Sequence, residues 1–345
     1  MKKQNIINLV RYYSEKNDAA FRNEVKEIAQ DFDRNGDEEI GEYLMELIST
    51  ADYYVPQTSY KNLEYLKKCS YNDKPLSLPD TIYEDVMGLV RSVNKELPIS
   101  KTLFYGAPGS GKTECAFQVA RLLNRDLLSV RMEELVDSHL GQTQKNIISL
   151  FDEIQHLSSR NVVILFDEID SLVMNRLSNN DLREMGRVTS TFLKELEQLS
   201  EKILLICTTN LKDSLDKALL RRFDVCISFD RYSKEDIIEA SLSILKYLIK
   251  RTNFKLDTRL FTKILNNTET LPYPGDMHQI IKLSLAFADD SYEYDYLRKL
   301  YTTLQGNNKL NIAELSQKGY TLREIEVLTG VSKSSVSRRL KESDL

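Results

Sequence analysis

The sequence predicts an α/β core, in which a parallel sheet lies between helices, with purely helical segments on either side of it. Between residues 81 and 230, short apolar and often β-branched runs alternate with segments of helical periodicity, which is typical of a parallel sheet covered on both faces. A glycine-rich loop separates the first apolar run from the helix that follows it. Residues 1–52 and 233–304 carry helical periodicity alone.

These patterns predict five parts along the chain. They are a helical N-terminal head (1–52), a linker (53–80), an α/β domain (81–232), a small helical domain that would form a lid (233–304) and a helical tail (305–345). Five strands, all parallel, are expected near Thr102–Tyr105, Leu127–Val130, Val162–Phe166, Ile203–Cys207 and Val225–Phe229.

Composition excludes several classes of protein. The chain has 345 residues and a net charge of −5, with 41% hydrophobic and 29% charged residues, which fits a folded globular protein rather than a disordered one. Its clean apolar runs are far shorter than the roughly 20 residues of a membrane span, and no apolar stretch of signal-peptide length follows the first residues. The four cysteines lie far apart without a CxxC pair, so we expect reduced thiols and a cytoplasmic location.

The glycine-rich loop fits the pattern GxxxxGK[ST], which binds nucleotide phosphates. Its glycines let backbone N–H groups curl around phosphate oxygens at the N-terminal end of a helix. We expect Lys112 to reach the β- and γ-phosphates and Thr113 to hold Mg²⁺, and we include the neighbouring Glu114 among the nucleotide contacts. The residues of the loop are Gly106, Ala107, Pro108, Gly109, Ser110, Gly111, Lys112 and Thr113.

Two carboxylates end the most apolar of the expected strands. Asp167 and Glu168 follow Val162–Phe166, and ligands of open α/β sheets bind at the carboxyl ends of strands. We expect Asp167 to orient Mg²⁺ through its water shell and Glu168 to act as the general base that polarises an attacking water.

Together these segments resemble the AAA+ ATPases, over about residues 80–300. Gly106–Thr113, Asp167–Asp170 and Thr208–Asn210 look like the Walker A, Walker B and sensor-1 motifs of that family. The resemblance implies an ATP-hydrolysing ring, usually a hexamer, that holds ATP and Mg²⁺ between subunits and remodels a macromolecule.

The same resemblance implies further site residues. Asn210 would help to place the attacking water, and Arg221 or Arg222 would reach into the neighbouring subunit's site. The family often has Pro-Gly between its two arginines, and this sequence lacks them, so either arginine could be the finger. Gly275 and Asp276 resemble the sensor-2 turn near the adenine.

The segment from residue 138 to 143 resembles the first pore loop of the family. Its core is His139, Leu140 and Gly141. Members that thread polypeptides usually carry an aromatic residue where this sequence has His139, which weakens the expected grip on a polypeptide.

The tail resembles a helix-turn-helix. Three helices are expected at about 312–318, 321–328 and 333–341, with Gly330, Val331 and Ser332 in the second turn and Ser332 as the N-cap of the third helix. The third helix is basic and rich in serine, which suits phosphate and base-edge contacts in a DNA groove, although a protein-docking module remains the alternative. The candidate DNA contacts are Lys333, Ser334, Ser335, Arg338, Arg339 and Lys341.

Residues 31–42 of the head satisfy a calcium-loop pattern, D-x-[DN]-x-[DN]-G-x5-E. Glu38 occupies a position that is usually aliphatic, so a polar turn between two helices, with Gly36 at positive φ, is the favoured reading and calcium the alternative. The head is loosely similar to that of certain bacterial AAA ATPases, some encoded beside a subtilisin-like protease.

Three functional hypotheses follow. The first is a ring that remodels or regulates a protein partner, such as a client or a neighbouring effector like a protease, with the tail localising it on duplex DNA. The second is a DNA-acting ATPase of the transposition or replication type. The third is a nucleotide-gated scaffold that rarely hydrolyses ATP. None of them requires a membrane.

Overall fold

A computed structural model describes residues 3–15, 18–34, 36–48, 63–70, 76–135, 141–157, 162–170, 181–306 and 311–343. The head contains the helices α1 (Lys3–Ser14), α2 (Asp18–Arg34) and α3 (Glu38–Ile48). Helix α2 packs against both of the others. Val25, Ile28 and Ala29 of α2 are buried there.

The α/β domain alternates strands and helices, as the sequence predicts. In chain order its elements are β1 (Leu66–Lys68), α4 (Asp80–Asn94), β2 (Lys101–Tyr105), α5 (Lys112–Leu122), β3 (Asp126–Val130), α6 (Met132–Leu135), α7 (Gln142–Gln155), β4 (Val162–Phe166), α8 (Asp181–Gln198), β5 (Leu204–Thr209), α9 (Lys217–Leu220) and β6 (Val225–Ser228).

The sheet has the order β1-β3-β4-β5-β2-β6. Five strands are parallel, and β1 joins the edge of the sheet antiparallel to β3, pairing Leu66 with Val130. The expected linker therefore contains a sixth strand. The sequence prediction missed it because a three-residue edge strand with only its first residue buried carries almost no periodic signal.

Alternate residues of each strand enter different halves of the core. Phe166 packs with Phe151 and Phe192 on the α7/α8 side, at ring-centroid distances of 5.9 and 5.4 Å. Phe104 packs with Phe229 on the other side at 5.1 Å. Strand β4 is buried along its whole length, because helices cover both faces of the sheet.

The lid and the tail share one hydrophobic core. The lid consists of α10 (Lys234–Ile249), α11 (Thr258–Asn266), α12 (Pro274–Ala286) and α13 (Asp295–Gln305), and the tail of α14 (Ile312–Gln317), α15 (Leu322–Thr329) and α16 (Lys333–Ser343). Buried Leu315, Ile325, Leu328 and Val336 of the tail belong to the same cluster as the lid residues.

Polar contacts reinforce this junction. Lys263 of the lid donates to Glu324 at 2.6 Å and to the Gly319 carbonyl at 2.7 Å. The expected boundary at residue 304 therefore does not separate two cores. Among the described residues, no helix is both long enough and apolar enough to cross a membrane.

Candidate nucleotide-binding site

The glycine-rich loop lies between β2 and α5, at the carboxyl edge of the sheet. Gly106, Gly109 and Gly111 have φ values of +145°, +75° and +95°, a region that side chains with a Cβ rarely adopt. A Cβ at Gly106 would also lie 2.8 Å from the Asp230 carboxylate. The sequence places glycine where this tight curl requires it, and the curl opens onto the N-terminus of an eleven-residue helix.

Lys112 is buried inside the curl, with 7% of its surface exposed. Its Nζ donates to the carbonyls of Gly106 and Ala107, each at 2.8 Å. Burial lowers the pKa of Lys112, and the nearby carboxylates, Asp230 and Asp167 first among them, oppose that shift. The ammonium group is therefore held at the centre of the loop, which is the position of a phosphate-binding charge.

Asp167 follows β4 and faces Thr113 across the loop. The Thr113 hydroxyl donates to Asp167 Oδ1 at 2.8 Å, and the Thr208 hydroxyl donates to the same oxygen at 2.6 Å. Strand pairing explains this meeting, because Phe166 is in register with Cys207 and the strands end side by side. The hydroxyl and carboxylate oxygens form the hard, oxygen-rich donor set that Mg²⁺ prefers, so these residues fit that ion.

Glu168 stands next to Asp167 in a strained backbone conformation. Its φ is +53°, uncommon for a residue with a side chain, and its N–H donates to the Thr208 hydroxyl at 2.8 Å. The side chain is exposed at the edge of the site. The Thr208 hydroxyl thus positions both the Asp167 carboxylate and the Glu168 backbone, a role that the sequence analysis did not assign to it.

Asp170, which follows β4, binds the residues at the end of β5. Its carboxylate accepts hydrogen bonds from the Thr209 hydroxyl and from the Asn210 N–H, the latter at 3.2 Å. Hydrogen bonds therefore join the ends of β4 and β5, with donors at the end of each strand. The hydrogen bond from its N–H positions the backbone of Asn210 next to Asp170, and the expected role of Asn210 in placing the attacking water stays a prediction.

The lid touches the loop directly through its sensor-2 turn. The Gly275 N–H donates to the Gly109 carbonyl at 2.7 Å, and a Cβ at Gly275 would lie 2.7 Å from Gly109 Cα. The next residue, Asp276, is exposed at the start of α12, and its N lies 3.5 Å from an ideal Cβ at Gly109.

Two residues that the sequence analysis missed bind the loop, and a third packs against one of them. Asp230 accepts from the Ala107 N–H at 2.6 Å, and the Tyr232 hydroxyl donates to the Ser110 carbonyl at 2.9 Å. Tyr273 packs edge-on against Tyr232 with ring centroids 5.8 Å apart. Asp230 and Tyr232 lie just after β6, and that position was the available signal, because the carboxyl ends of parallel strands converge on one ligand site.

The two candidate finger arginines lie at the opposite edge of the sheet. They precede Asp224, whose carboxylate accepts from the N–H groups of Ser100 and Lys101, at the amino end of β2. The length of β2, about 13 Å, separates that edge from the loop. Arg221 and Arg222 are both exposed, and Arg222 pairs with Glu197.

The pore-loop prediction falls mainly outside the described residues. His139 and Leu140 are not described, and Gly141, with a φ of +78°, caps α7.

In the head, Gly36 has the expected positive φ of +86°. Asn35 and the side chain of Glu42 lie outside the described part, and within that part there is no group of three or more metal-ligating side chains.

The tail has its three expected helices, with two differences in detail. Helix α16 extends to Ser343, beyond the expected end at residue 341, and therefore includes Glu342, whose carboxylate lies 4.0 Å from Arg338. The Lys333 N–H at the start of α16 donates to Glu326 at 3.0 Å, while the Ser332 hydroxyl contacts those of Ser334 and Ser335. Of the candidate DNA contacts, the exposed ones are Lys333, Ser334, Arg338, Arg339 and Lys341.

Residues 102–231 match the family model described as "ATPase family associated with various cellular activities (AAA)". These residues therefore form an AAA ATPase domain. An uncharacterized AAA family ATPase of Sinorhizobium fredii is 39% identical over 132 residues, which cover 38% of this chain and 39% of the relative. The peroxisomal ATPase pex6 of Schizosaccharomyces pombe is 36% identical over 167 residues, 46% of this chain and 17% of the relative.

The fold of the chain also resembles solved structures. The crystal structure of the FIGL-1 AAA domain has a TM-score of 0.54 and 18% sequence identity, and covers 74% of this chain and 90% of that chain. The complex of that domain with ADP gives a TM-score of 0.52. The chain spans less than half the length of the two relatives named above.

Proposed function

We propose that this protein hydrolyses ATP in a ring of copies and uses the reaction to remodel or regulate a protein partner. One observation supports hydrolysis most directly: the Thr208 hydroxyl donates a hydrogen bond to Asp167 and accepts one from the Glu168 N–H. It fixes a metal-orienting carboxylate and a general base beside the buried ammonium of Lys112.

Each residue has one task in this reaction. Lys112 neutralises the β- and γ-phosphate oxygens, and Glu168 accepts a proton from the attacking water, which Asn210 helps to place. Thr113 and Asp167 would hold Mg²⁺, which supplies charge neutralisation and phosphate orientation when bound.

The need for a ring comes from the arginines. Both lie at the amino edge of the sheet, so neither serves its own loop, and an arginine from a neighbouring copy would stabilise the charge on the transferred phosphoryl group. Arg221 is the stronger candidate, because Arg222 already pairs with Glu197. A hexamer is the oligomer that the family resemblance implies.

The test is the steady-state ATPase rate of Glu168→Gln, for which we expect at least a hundredfold loss with ATP binding kept. A rate equal to wild type would refute the base assignment. If the variant supports function in cells without turnover, the nucleotide-gated scaffold is the better description.

Mixing two inactive variants tests the shared site. Glu168→Gln and Arg221→Ala carry their defects in different halves of the interface, so mixed rings contain some intact sites and regain activity. Arg222→Ala replaces Arg221→Ala in a parallel mixture. If neither mixture regains activity, the arginines do not act between copies.

A DNA-acting ATPase is the second candidate, favoured by the exposed basic residues of α16. Replacing Arg338 and Arg339 by Ala should weaken duplex binding and reduce its salt slope by about two. Lys246 and Lys282, exposed on the lid, give a control with the same loss of charge. Equal affinities for wild type and the arginine variant would refute DNA binding by α16, and ATPase stimulation by duplex would promote this candidate.

A further inference from the structure

The phosphate-binding loop is held from outside by residues that are not part of its motif. Asp230 accepts from the Ala107 N–H at 2.6 Å, Gly275 donates to the Gly109 carbonyl at 2.7 Å, and Tyr232 donates to the Ser110 carbonyl at 2.9 Å. We refer to these three residues as the outer clasp. Gly275 belongs to the lid helix α12, and Asp230 and Tyr232 to the segment that leads from β6 into the lid.

The outer clasp fixes the direction of individual peptide planes. In a trans peptide, the carbonyl of one residue and the N–H of the next lie in the peptide plane and point in opposite directions. At the Gly106–Ala107 peptide, the N–H points out to Asp230 while the carbonyl points in to Lys112 Nζ at 2.8 Å.

The Gly109–Ser110 peptide has the reverse orientation, with its carbonyl outward and its N–H inward. Its carbonyl points out to Gly275, and its N–H points in to the Ala107 carbonyl at 3.3 Å, which also receives Lys112 Nζ. At the Ser110–Gly111 peptide, the carbonyl points out to the Tyr232 hydroxyl. The Gly111 N–H must then point inward, toward the position of the phosphates.

Tyr232 is well supported for this task. Its ring packs edge-on against Tyr273, and it contacts both the lid core and the α4/α5 half of the domain core. Burial raises its pKa, with the charges of nearby groups adding to the rise, so the phenol keeps its proton and remains a donor at neutral pH.

We propose that Tyr232 is a positioning residue for phosphate binding, whose hydroxyl orients the Ser110–Gly111 peptide so that the Gly111 N–H faces the β-phosphate. The inference rests on the proposed function, because it concerns the same site. Phosphate recognition then depends on a residue outside the loop motif, in the segment that joins β6 to the lid.

The experiment compares Tyr232→Phe with wild type in the full chain, by titration with ATP, ADP, AMP and adenosine. The variant keeps the aromatic side chain and loses only its hydroxyl. We expect ATP and ADP affinities to fall about threefold to tenfold, the range of one hydrogen bond, with AMP and adenosine within about twofold of wild type. In turnover, KM should rise more than kcat falls.

Tyr296→Phe is the matched control. That tyrosine is buried in the lid, and its hydroxyl donates to the Lys255 carbonyl at 3.1 Å and accepts from the Asp257 N–H at 3.2 Å, away from the loop. Its loss should lower the melting temperature without changing the ATP-to-adenosine affinity ratio. Hydrogen exchange at the Gly111 amide should quicken in Tyr232→Phe and not in Tyr296→Phe.

The outcomes separate the inference from the proposed function. Unchanged ATP and ADP affinities in Tyr232→Phe, or an equal loss for all four ligands, would overturn the positioning role while leaving hydrolysis intact. A wild-type protein that binds neither ATP nor ADP would overturn the proposed function, and the inference with it.

Discussion

Replacing Thr208 by valine removes the hydroxyl that joins the two catalytic carboxylate residues and keeps the shape of the side chain. Thr208 is 1% exposed, and its hydroxyl donates to Asp167 at 2.6 Å and accepts from the Glu168 N–H at 2.8 Å. A neutral hydrogen bond contributes about 1 kcal/mol and one to a charged group about 1.5–3 kcal/mol. Since Asp167 is only half-buried, we expect a loss of about 2 kcal/mol in the free energy of unfolding.

The effect on catalysis should exceed the effect on binding. Glu168 has a φ of +53°, and without the Thr208 acceptor its backbone is free to relax from that strained conformation. A displacement of about 1 Å at a catalytic group lowers rate by about a hundredfold. We therefore expect Thr208→Val to lower kcat about 10- to 100-fold, with the ATP dissociation constant within about threefold of wild type.

Two companion variants make the test decisive. Thr208→Ser keeps the hydroxyl and should recover most of the kcat. Thr268→Val removes a buried hydroxyl from the lid, where it donates to the Ile264 carbonyl at 2.9 Å and accepts from Gln305 at 3.2 Å, and should lower stability without lowering kcat. A kcat for Thr208→Val within twofold of wild type, or equal to that of Thr268→Val, would refute the reasoning.

Three other predictions concern the lid and the core. Gly275→Ala should weaken ATP binding at least tenfold in a titration, because its Cβ would lie 2.7 Å from Gly109 Cα and backbone must shift. Glu324→Gln should destabilise the protein at pH 7 and match wild type once the pH lies below the folded-state pKa of Glu324, as followed by urea unfolding. Burial alone would raise the pKa of Glu324, but hydrogen bonds, that of Lys263 first, lower it, so its stabilisation disappears as pH falls through the folded-state value. Phe192→Leu should cost about 1–2 kcal/mol in unfolding free energy, because it loses edge contacts to two rings at 5.4 and 5.7 Å.

Each of these has a clear contrary result. Wild-type ATP affinity in Gly275→Ala would mean that the lid turn does not press on the loop. A Glu324→Gln defect that does not shrink as the pH falls would assign its effect to packing rather than to charge. Unfolding free energy unchanged in Phe192→Leu would mean that the aromatic cluster adds nothing beyond its apolar area.

The sequence by itself determined the α/β core, and it predicted the main residues of the candidate site. The five parallel strands lie close to where short apolar runs predict them. The signal is strongest for β4, because burial on both faces requires its unbroken apolar sequence. The loop from Gly106 to Thr113 and the carboxylates of Asp167 and Glu168 were also readable, because phosphate and metal chemistry demand those residue types at local spacing.

Only the tertiary structure decided how distant segments meet. The hold of Thr208 on Asp167 and Glu168 depends on strand register, and the outer clasp depends on where the lid docks against the loop. The edge strand at Leu66–Lys68 and the shared core of lid and tail likewise form through contacts between residues far apart in sequence. Periodicity and motif spacing report what a residue needs from its neighbours in sequence, so they do not specify which distant residues pair.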